Sequence, residues 1–176
     1  MTITQDPTHT CRVPASGDGD ERVFRGVLLG EASTHRKSGG LRWFEIKLFR
    51  NDDQPNAPYV VSKIGRTVVY HRPGCESLRL PEDVEPEVLR EPPDDWKGCP
   101  TCEPDLDNGP VILERDRITL RDGLLAFEVL EALRQRNDDT GEWFLSATAR
   151  HALRSAIEKD DDLMRAYARD TLSRHH

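Results

Sequence analysis

The sequence predicts an α+β protein with an antiparallel β-meander, a loop module after it, and a C-terminal helical part packed on the sheet. Two observations predict this class. Apolar residues alternate with polar ones in segments of the first half, and they recur at helical spacing in the last third. The predicted segments are a flexible N-terminal tail (1–21), an antiparallel sheet (22–71), a loop module (68–107) and a helical region (108–176).

Composition limits what such a fold can do. The 176 residues are 36% hydrophobic and 32% charged, which favours a folded core with long solvated connections. The net charge of −7 works against nonspecific binding to nucleic acids, because affinity for phosphates depends on lysine and arginine. Arginine far outnumbers lysine, which indicates a GC-rich genome such as that of an actinobacterium or one of its phages.

The N-terminal tail is polar and contains no apolar run, so we expect no secretory signal. No segment approaches the ~18 consecutive apolar residues of a membrane span. We therefore expect a cytoplasmic protein that does not enter the membrane. In that compartment four cysteines favour metal binding over disulfide bonds.

Four apolar segments, 23–29, 42–49, 59–64 and 67–70, predict a meander of three or four strands. In the second segment Phe44, Ile46 and Leu48 share one face, which is the period-two pattern of a strand. One face of such a sheet must be covered by another layer, and the C-terminal helices are expected to supply it.

The connection 78–107 has neither strand nor helix periodicity. Prolines interrupt it repeatedly, and acidic residues heavily outnumber basic ones beyond Glu82. A structureless connection of this length is unusual in a compact domain. We therefore expect something other than apolar packing to hold it in place.

Helical spacing of apolar residues predicts three helices, at 124–133, from about 146 to 159, and after the carboxylates at 160–162. Thr119 with Asp122 resembles a capping pair for the first helix, and 137–141 is expected to end it. The preceding segment 111–120 is either one strand or a strand followed by a helix start.

A histidine and three cysteines in the loop module follow the pattern H-x3-C-x23-C-x2-C, namely His71, Cys75, Cys99 and Cys102. Zinc prefers four such ligands in a tetrahedron, supplied as two close pairs that a loop brings together. Both pairs lie beside proline and glycine, which suit the turns that this geometry requires. The spacing therefore predicts one structural Zn²⁺ that pins the module at 68–107.

Two alternatives remain open at this point. Cys11 in the tail competes with His71 as the fourth ligand. Cys99 and Cys102 could instead form a redox dithiol, although such a pair normally opens a helix and here prolines surround it. The apolar cover of the module is expected from four residues, Tyr70, Leu78, Leu80 and Trp96.

The run His-Arg-Pro-Gly-Cys at 71–75, followed by Gly-Cys-Pro-Thr-Cys-Glu-Pro at 98–104, resembles the zinc module of the Ada family of DNA methylphosphotriester repair proteins. The resemblance covers 68–104 only, and it implies a zinc ion and a local fold. In that family the first residue of the run is the cysteine that accepts the methyl group, whereas this chain has His71. Since an imidazole does not replace a zinc-activated thiolate in that chemistry, repair is not implied.

These features favour a non-catalytic, zinc-stabilised binding, adaptor or regulatory protein that acts on another macromolecule, in the first place a protein. Four ligands, three of them sulfur, are typical of a closed site, whereas a catalytic zinc keeps one position open. The alternative is a DNA-binding regulator of transcription or of a mobile element. Its candidate contacts are His35, Arg36, Lys37, Arg150 and Arg154. A zinc-dependent enzyme is the third interpretation.

Overall fold

The computed structural model describes residues 9–15, 19–35, 40–80, 86, 88–91 and 96–173. Its fold is α+β, as predicted. The chain forms two compact units: unit 1 comprises Met1–Ser33, Glu45–Lys63 and Ile118–His176, and unit 2 comprises Thr34–Phe44 and Ile64–Arg117. The division into four segments by sequence stays a prediction.

The strands are β1 (His9–Pro14), β2 (Glu21–Ser33), β3 (Arg42–Asn51), β4 (Tyr59–Thr67), β5 (Val69–His71), β6 (Val88–Leu89), β7 (Lys97–Gly98), β8 (Val111–Leu113), β9 (Arg117–Leu124), β10 (Arg134–Arg136) and β11 (Trp143–Leu145). The α-helices are α1 (Ala126–Leu133), α2 (Ala147–Ile157) and α3 (Asp161–Ser173), and a 3-10 turn covers Leu106–Asn108. A five-stranded antiparallel sheet has the order β1-β2-β3-β4-β9.

Strand β1 lies within the segment that we predicted as a flexible tail. It pairs antiparallel with β2, from His9 opposite Gly26 to Pro14 opposite Glu21. Val13 is buried and belongs to a small apolar cluster with Phe24, Phe49 and Val60. The tail prediction is therefore wrong for His9–Pro14, because a single buried valine gives no periodic pattern although the backbone pairs over six positions.

The helices of unit 1 cover one face of the sheet, as expected. The main core joins sheet residues to helix residues, including Leu29, Ile46, Leu48, Leu133, Leu153 and Leu163. Strand β2 approaches α2 so closely at Gly30 that a Cβ atom there would lie 2.1 Å from the carbonyl oxygen of Ala152. Phe44 does not share this core, since it is 61% exposed and belongs to unit 2.

The predicted capping pair of the first helix is wrong. Thr119 and Asp122 both lie in β9, where Asp122 accepts a hydrogen bond of 2.7 Å from the Arg22 guanidinium. The helix begins later, and the backbone N–H of Leu125 donates to the Glu128 carboxylate at 2.7 Å. The segment 111–120 resolves into β8 and the start of β9 rather than leading into a helix.

The second and third helices agree with prediction. Ser146 caps α2 by accepting from the backbone N–H of Ala149 at 3.1 Å. Asp160 caps α3 by accepting from the backbone N–H of Leu163 at 3.0 Å. The segment 137–141 does not end a helix directly, because α1 stops at Leu133 and the turn joins the two strands β10 and β11.

Unit 2 contains a second, four-stranded sheet of very short strands in the order β6-β8-β5-β7. Two of these strands lie within the acidic, proline-rich connection, where we predicted no regular structure. Among the described residues, no helix has both the length and the apolar character needed to cross a membrane.

Candidate metal centre

Strand pairing brings the two halves of the H-x3-C-x23-C-x2-C pattern together. In β5, Tyr70 lies opposite Gly98 of the parallel strand β7, and His71 lies opposite Ile112 of the antiparallel strand β8. The backbone N–H of Cys99 continues the first ladder by donating to the Tyr70 carbonyl at 2.8 Å. His71 and Cys99 therefore emerge side by side at the same end of two neighbouring strands.

The four predicted ligand atoms form one compact group. The ligand atoms of His71, Cys75, Cys99 and Cys102 all lie within 4.8 Å of one another. His71 Nδ1 lies 3.4 Å from Cys75 Sγ. A tetrahedral site with metal–sulfur and metal–nitrogen distances of about 2.3 and 2.0 Å separates these atoms by roughly 3.5 Å. The group therefore has the dimensions of a site for one metal ion.

Two tight turns present the cysteines. Gly74 adopts a left-handed conformation with φ of 78°, and the backbone N–H of Cys75 donates to the Arg72 carbonyl at 3.1 Å. After the second pair, Glu103 also has a positive φ of 45°, and its N–H donates to the Cys99 carbonyl at 2.8 Å. The Arg72 guanidinium donates to the Glu103 carbonyl at 2.8 Å, so the two turns are tied to each other.

Backbone amides face the sulfur atoms. Burial alone would raise the pKa of the Cys99 thiol, but hydrogen bonds from the amides of Cys102 and Thr101 favour the thiolate and lower this pKa to about 7. The amide of Arg72 donates to Cys102 Sγ at 3.2 Å. Burial, followed by the neighbouring Cys75 and Cys99 side chains, nevertheless raises the pKa of the Cys102 thiol. A bound metal ion would offset the repulsion between neighbouring thiolates, because its positive charge would neutralise the sulfur atoms.

No protein-family model matches this chain, and neither do the curated proteins or the solved structures with which it was compared. The resemblance of 68–104 to the Ada-type zinc module therefore stays a prediction from the motif.

Glu114 and Arg42 support the centre from outside, and our sequence analysis missed both. Glu114 Oε2 lies 3.1 Å from His71 Nε2, on the side of the ring away from the sulfurs. Because a carboxylate only accepts hydrogen bonds, this contact places the proton on Nε2 and leaves the Nδ1 lone pair for a metal. The Arg42 guanidinium donates to both oxygens of Glu114, at 2.8 Å from Nε and 2.5 Å from the terminal nitrogen.

The environment of Glu114 keeps its carboxylate ionised. Burial alone would raise its pKa, but the hydrogen bonds and charge of Arg42, followed by the hydrogen bond from His71, hold the pKa below its usual value. The signal available in the sequence was a lone carboxylate directly after the apolar strand Val111–Leu113. That signal is weak, because only the pairing of β5 with β8 brings Glu114 to the histidine.

The structure places the remaining predicted residues elsewhere. Cys11 is not a member of the metal-ligand group, and it packs beside the small apolar cluster of unit 1. The His35 ring lies 4.3 Å from the Trp43 ring, centroid to centroid. Arg36 and Lys37 lie outside the described residues.

Of the four residues expected to cover the loop module, Tyr70 and Trp96 meet edge to face, with their ring centroids 5.9 Å apart. The two predicted arginines on α2, Arg150 and Arg154, are both exposed. Of the residues predicted as sites, the structure thus brings together the four proposed metal ligands.

Proposed function

We propose that the protein is a non-catalytic, zinc-stabilised binding protein that acts by contacting another macromolecule. The observation that carries this proposal is the group of His71, Cys75, Cys99 and Cys102, whose ligand atoms all lie within 4.8 Å of one another. Four protein ligands fill a tetrahedral coordination sphere and leave no position for a substrate or a reactive water. The donor set of three thiolates and one imidazole suits zinc by its chemistry.

A zinc ion at this position would stabilise unit 2 directly. The four strands of its sheet have only two or three residues each, so backbone pairing alone gives little stability. Structural zinc contributes on the order of 10–16 kcal/mol of binding free energy that becomes folding free energy. The proposed role of the metal is thus to hold a binding surface in shape rather than to perform chemistry.

The experiment is elemental analysis of metal per chain in the purified protein and in matched variants. We expect one zinc in the wild type, loss of zinc in Cys99→Ala, and weakened retention in His71→Ala. Cys11→Ala is the control, because Cys11 lies outside the ligand group, and it should keep the full metal content. A wild-type protein without metal, or an effect of Cys11→Ala equal to that of Cys99→Ala, would refute the ligand assignment.

A protein is the first partner class that we propose, and a groove in unit 1 supports it. The groove has a volume of about 680 Å³ and is lined by residues of α1 and α3 and by the turn before β4. Leu125 and Phe127 line it while remaining 42% and 55% exposed. Exposed apolar side chains at a concave surface with a polar rim are typical of protein interaction sites.

The matched test uses a charge placed in this groove. Phe127→Asp should abolish a protein complex that the wild type forms, and should leave the metal content unchanged. Phe144→Asp is the control, because Phe144 is likewise exposed (44%, against 55% for Phe127) but does not line the groove. Equal loss in both variants would argue for general apolar adhesion instead of a defined site.

DNA binding is the second candidate function, and it is favoured by the exposed Arg150 and Arg154 on α2. A salt-dependent shift of duplex DNA that is lost in the double variant Arg150→Ala/Arg154→Ala would support it. The absence of a shift at low salt would remove this candidate.

A further inference from the structure

We propose that unit 2 carries a second site, an arginine-lined cleft that binds a nucleotide unit by its phosphate and its base. The nucleotide is either free or part of a single strand, and both sources present the same chemistry. The inference goes beyond the proposed function, which assigns no ligand to this cleft, and it rests on residues other than the four metal ligands.

Charge is the first argument. The cleft has a volume of about 260 Å³, and among the residues that the structure describes, five arginines line it against one carboxylate, that of Glu114. These arginines are Arg42, Arg66, Arg79, Arg115 and Arg117. The whole chain has a net charge of −7, so this concentration of positive charge runs against the overall balance. Such a local field attracts an anion, and it is strongest inside a concave surface.

Two of the arginines are available for an incoming phosphate. Arg42 is already paired with Glu114, and Arg66 with Asp116 at 2.9 Å. Arg79 and Arg117 are exposed and form no ion pair with any residue in the described ranges. A guanidinium presents parallel N–H donors that match two phosphate oxygens, and this geometry makes arginine the usual residue for phosphate recognition.

An exposed aromatic ring would bind the base of the nucleotide, as the arginines would bind its phosphate. Phe44 lines the cleft and is 61% exposed, although Ile46, Leu48 and Phe49 of the same strand are buried. Gly65 faces this ring, because a Cβ at Gly65 would lie 3.5 Å from Phe44 Cε1 and 3.6 Å from Arg117 Cβ. The glycine therefore leaves the ring open to a planar ligand. Bases of single strands stack on such rings beside arginines.

The size of the cleft limits the ligand. Its volume of about 260 Å³ lies slightly below the roughly 300–1,000 Å³ of sites for drug-sized ligands. One nucleotide unit suits it better than a dinucleotide cofactor. Duplex DNA suits it less, because the base faces are hidden in the stack and cannot reach Phe44.

One residue, Glu114, belongs both to the metal centre and to the lining of the cleft. Glu114 lines the cleft and also contacts His71 Nε2 at 3.1 Å. Arg115 follows Glu114 directly in the chain, and Arg117 follows two positions after Arg115. Binding should therefore be measured on the full chain with its metal content determined in the same samples.

The test is fluorescence anisotropy with a labelled single-stranded oligonucleotide of roughly eight nucleotides, a length within the usual site size of single-strand binding folds. Labelled AMP and a duplex of the same length are measured in parallel, and unlabelled AMP and UMP serve as competitors. We expect binding that weakens with salt by a slope of roughly −0.7 per phosphate contacted. Competition by AMP or UMP assigns the site to free nucleotides, and binding without competition assigns it to a nucleotide within a strand.

Matched variants separate the cleft from nonspecific attraction. Arg79→Ala and Arg117→Ala should each weaken binding by about tenfold, and Phe44→Leu by a similar factor. Gly65→Leu should block the cleft without changing any charge. Arg136→Ala removes the same charge from an exposed position on β10 that does not line the cleft, and it should leave the affinity unchanged.

Three outcomes would overturn the inference: no binding of either ligand at low salt, binding of the duplex as tight as that of the single strand, or equal losses of affinity in Arg117→Ala and Arg136→Ala. A sample with one zinc per chain and no nucleotide binding removes the cleft site but leaves the zinc-stabilised binding protein intact. Failure of the two proposals is thus distinguishable.

Discussion

Replacement of Glu114 by alanine tests how far the buried carboxylate holds His71, a proposed metal ligand, in place. His71 is fully buried, and its Nε2–H has Glu114 as its acceptor at 3.1 Å. In Glu114→Ala this donor would lose the carboxylate that accepts its hydrogen bond. An unsatisfied buried donor costs about 1–3 kcal/mol, and loss of such an outer partner typically lowers metal affinity by about 10–100-fold. The two ranges agree, because tenfold in affinity corresponds to about 1.4 kcal/mol.

Two matched variants refine this prediction. Glu114→Gln keeps an oxygen that can accept from His71, so we expect zinc affinity to fall by less than about tenfold. Arg42→Ala should also have a small effect, because the Arg42 side chain is 41% exposed and water can replace part of its contact with Glu114.

The assay is competition for zinc between the protein and a chromophoric chelator, with thermal unfolding measured with and without zinc. Zinc affinity in Glu114→Ala equal to that of the wild type, in a protein that still folds, would refute the reasoning. The histidine would then keep its orientation without the carboxylate.

Three further predictions concern the core, a helix cap and the protonation of the site. Gly30→Ala should destabilise the protein by about 1–3 kcal/mol in denaturant unfolding, because the added Cβ would lie 2.1 Å from the Ala152 carbonyl oxygen. The nearest atoms that this Cβ would meet all belong to the backbone of α2, so no side chain can move aside to relieve the clash. Asp160→Ala should cost about 1–3 kcal/mol in the same assay, since Asp160 caps α3 and accepts from the buried Tyr59 hydroxyl at 2.7 Å. Zinc affinity measured by chelator competition should fall as the pH drops through about 7, because metal binds thiolates, protons compete for them, and the pKa of Cys99 is about 7.

Each of these predictions has its own control. Gly65→Ala meets only ordinary contacts, 3.5 Å from Phe44, and should stay within about 0.5 kcal/mol of the wild type. Equal losses of unfolding free energy in Gly30→Ala and Gly65→Ala would contradict the argument that the backbone of α2 lies too close to Gly30 for a Cβ atom. Asp160→Asn keeps an acceptor oxygen and should recover part of the loss, whereas a cost equal to that of alanine would exclude capping as the reason. Zinc affinity that does not change between about pH 8 and pH 6 would contradict thiolate ligation.

The ligand group was predictable because its signal is local. Cys99 and Cys102 are three positions apart and His71 and Cys75 four, so each pair needs only a tight turn. Helices α2 and α3 were predictable for the same reason, since periodicity and a capping side chain lie within each segment.

The missed features depend on partners that are distant in the chain. Glu114 lies 43 positions from His71, and only the register of β8 against β5 makes them neighbours. Strand β1 is held by backbone pairing with β2, which leaves almost no trace in its side chains. The first helix was given the wrong start because Asp122, a residue type that suits a cap, is used by Arg22 inside the sheet.

The brevity of the strands in unit 2 has a consequence for the life of the protein in a cell. Because its strands have only two or three residues, backbone pairing would stabilise unit 2 little when the proposed zinc is absent. Proteases cleave chains that open, so the abundance of the protein would follow the supply of zinc. Under zinc starvation the protein would be degraded without any change in its expression, and its binding activity would decline as its concentration falls.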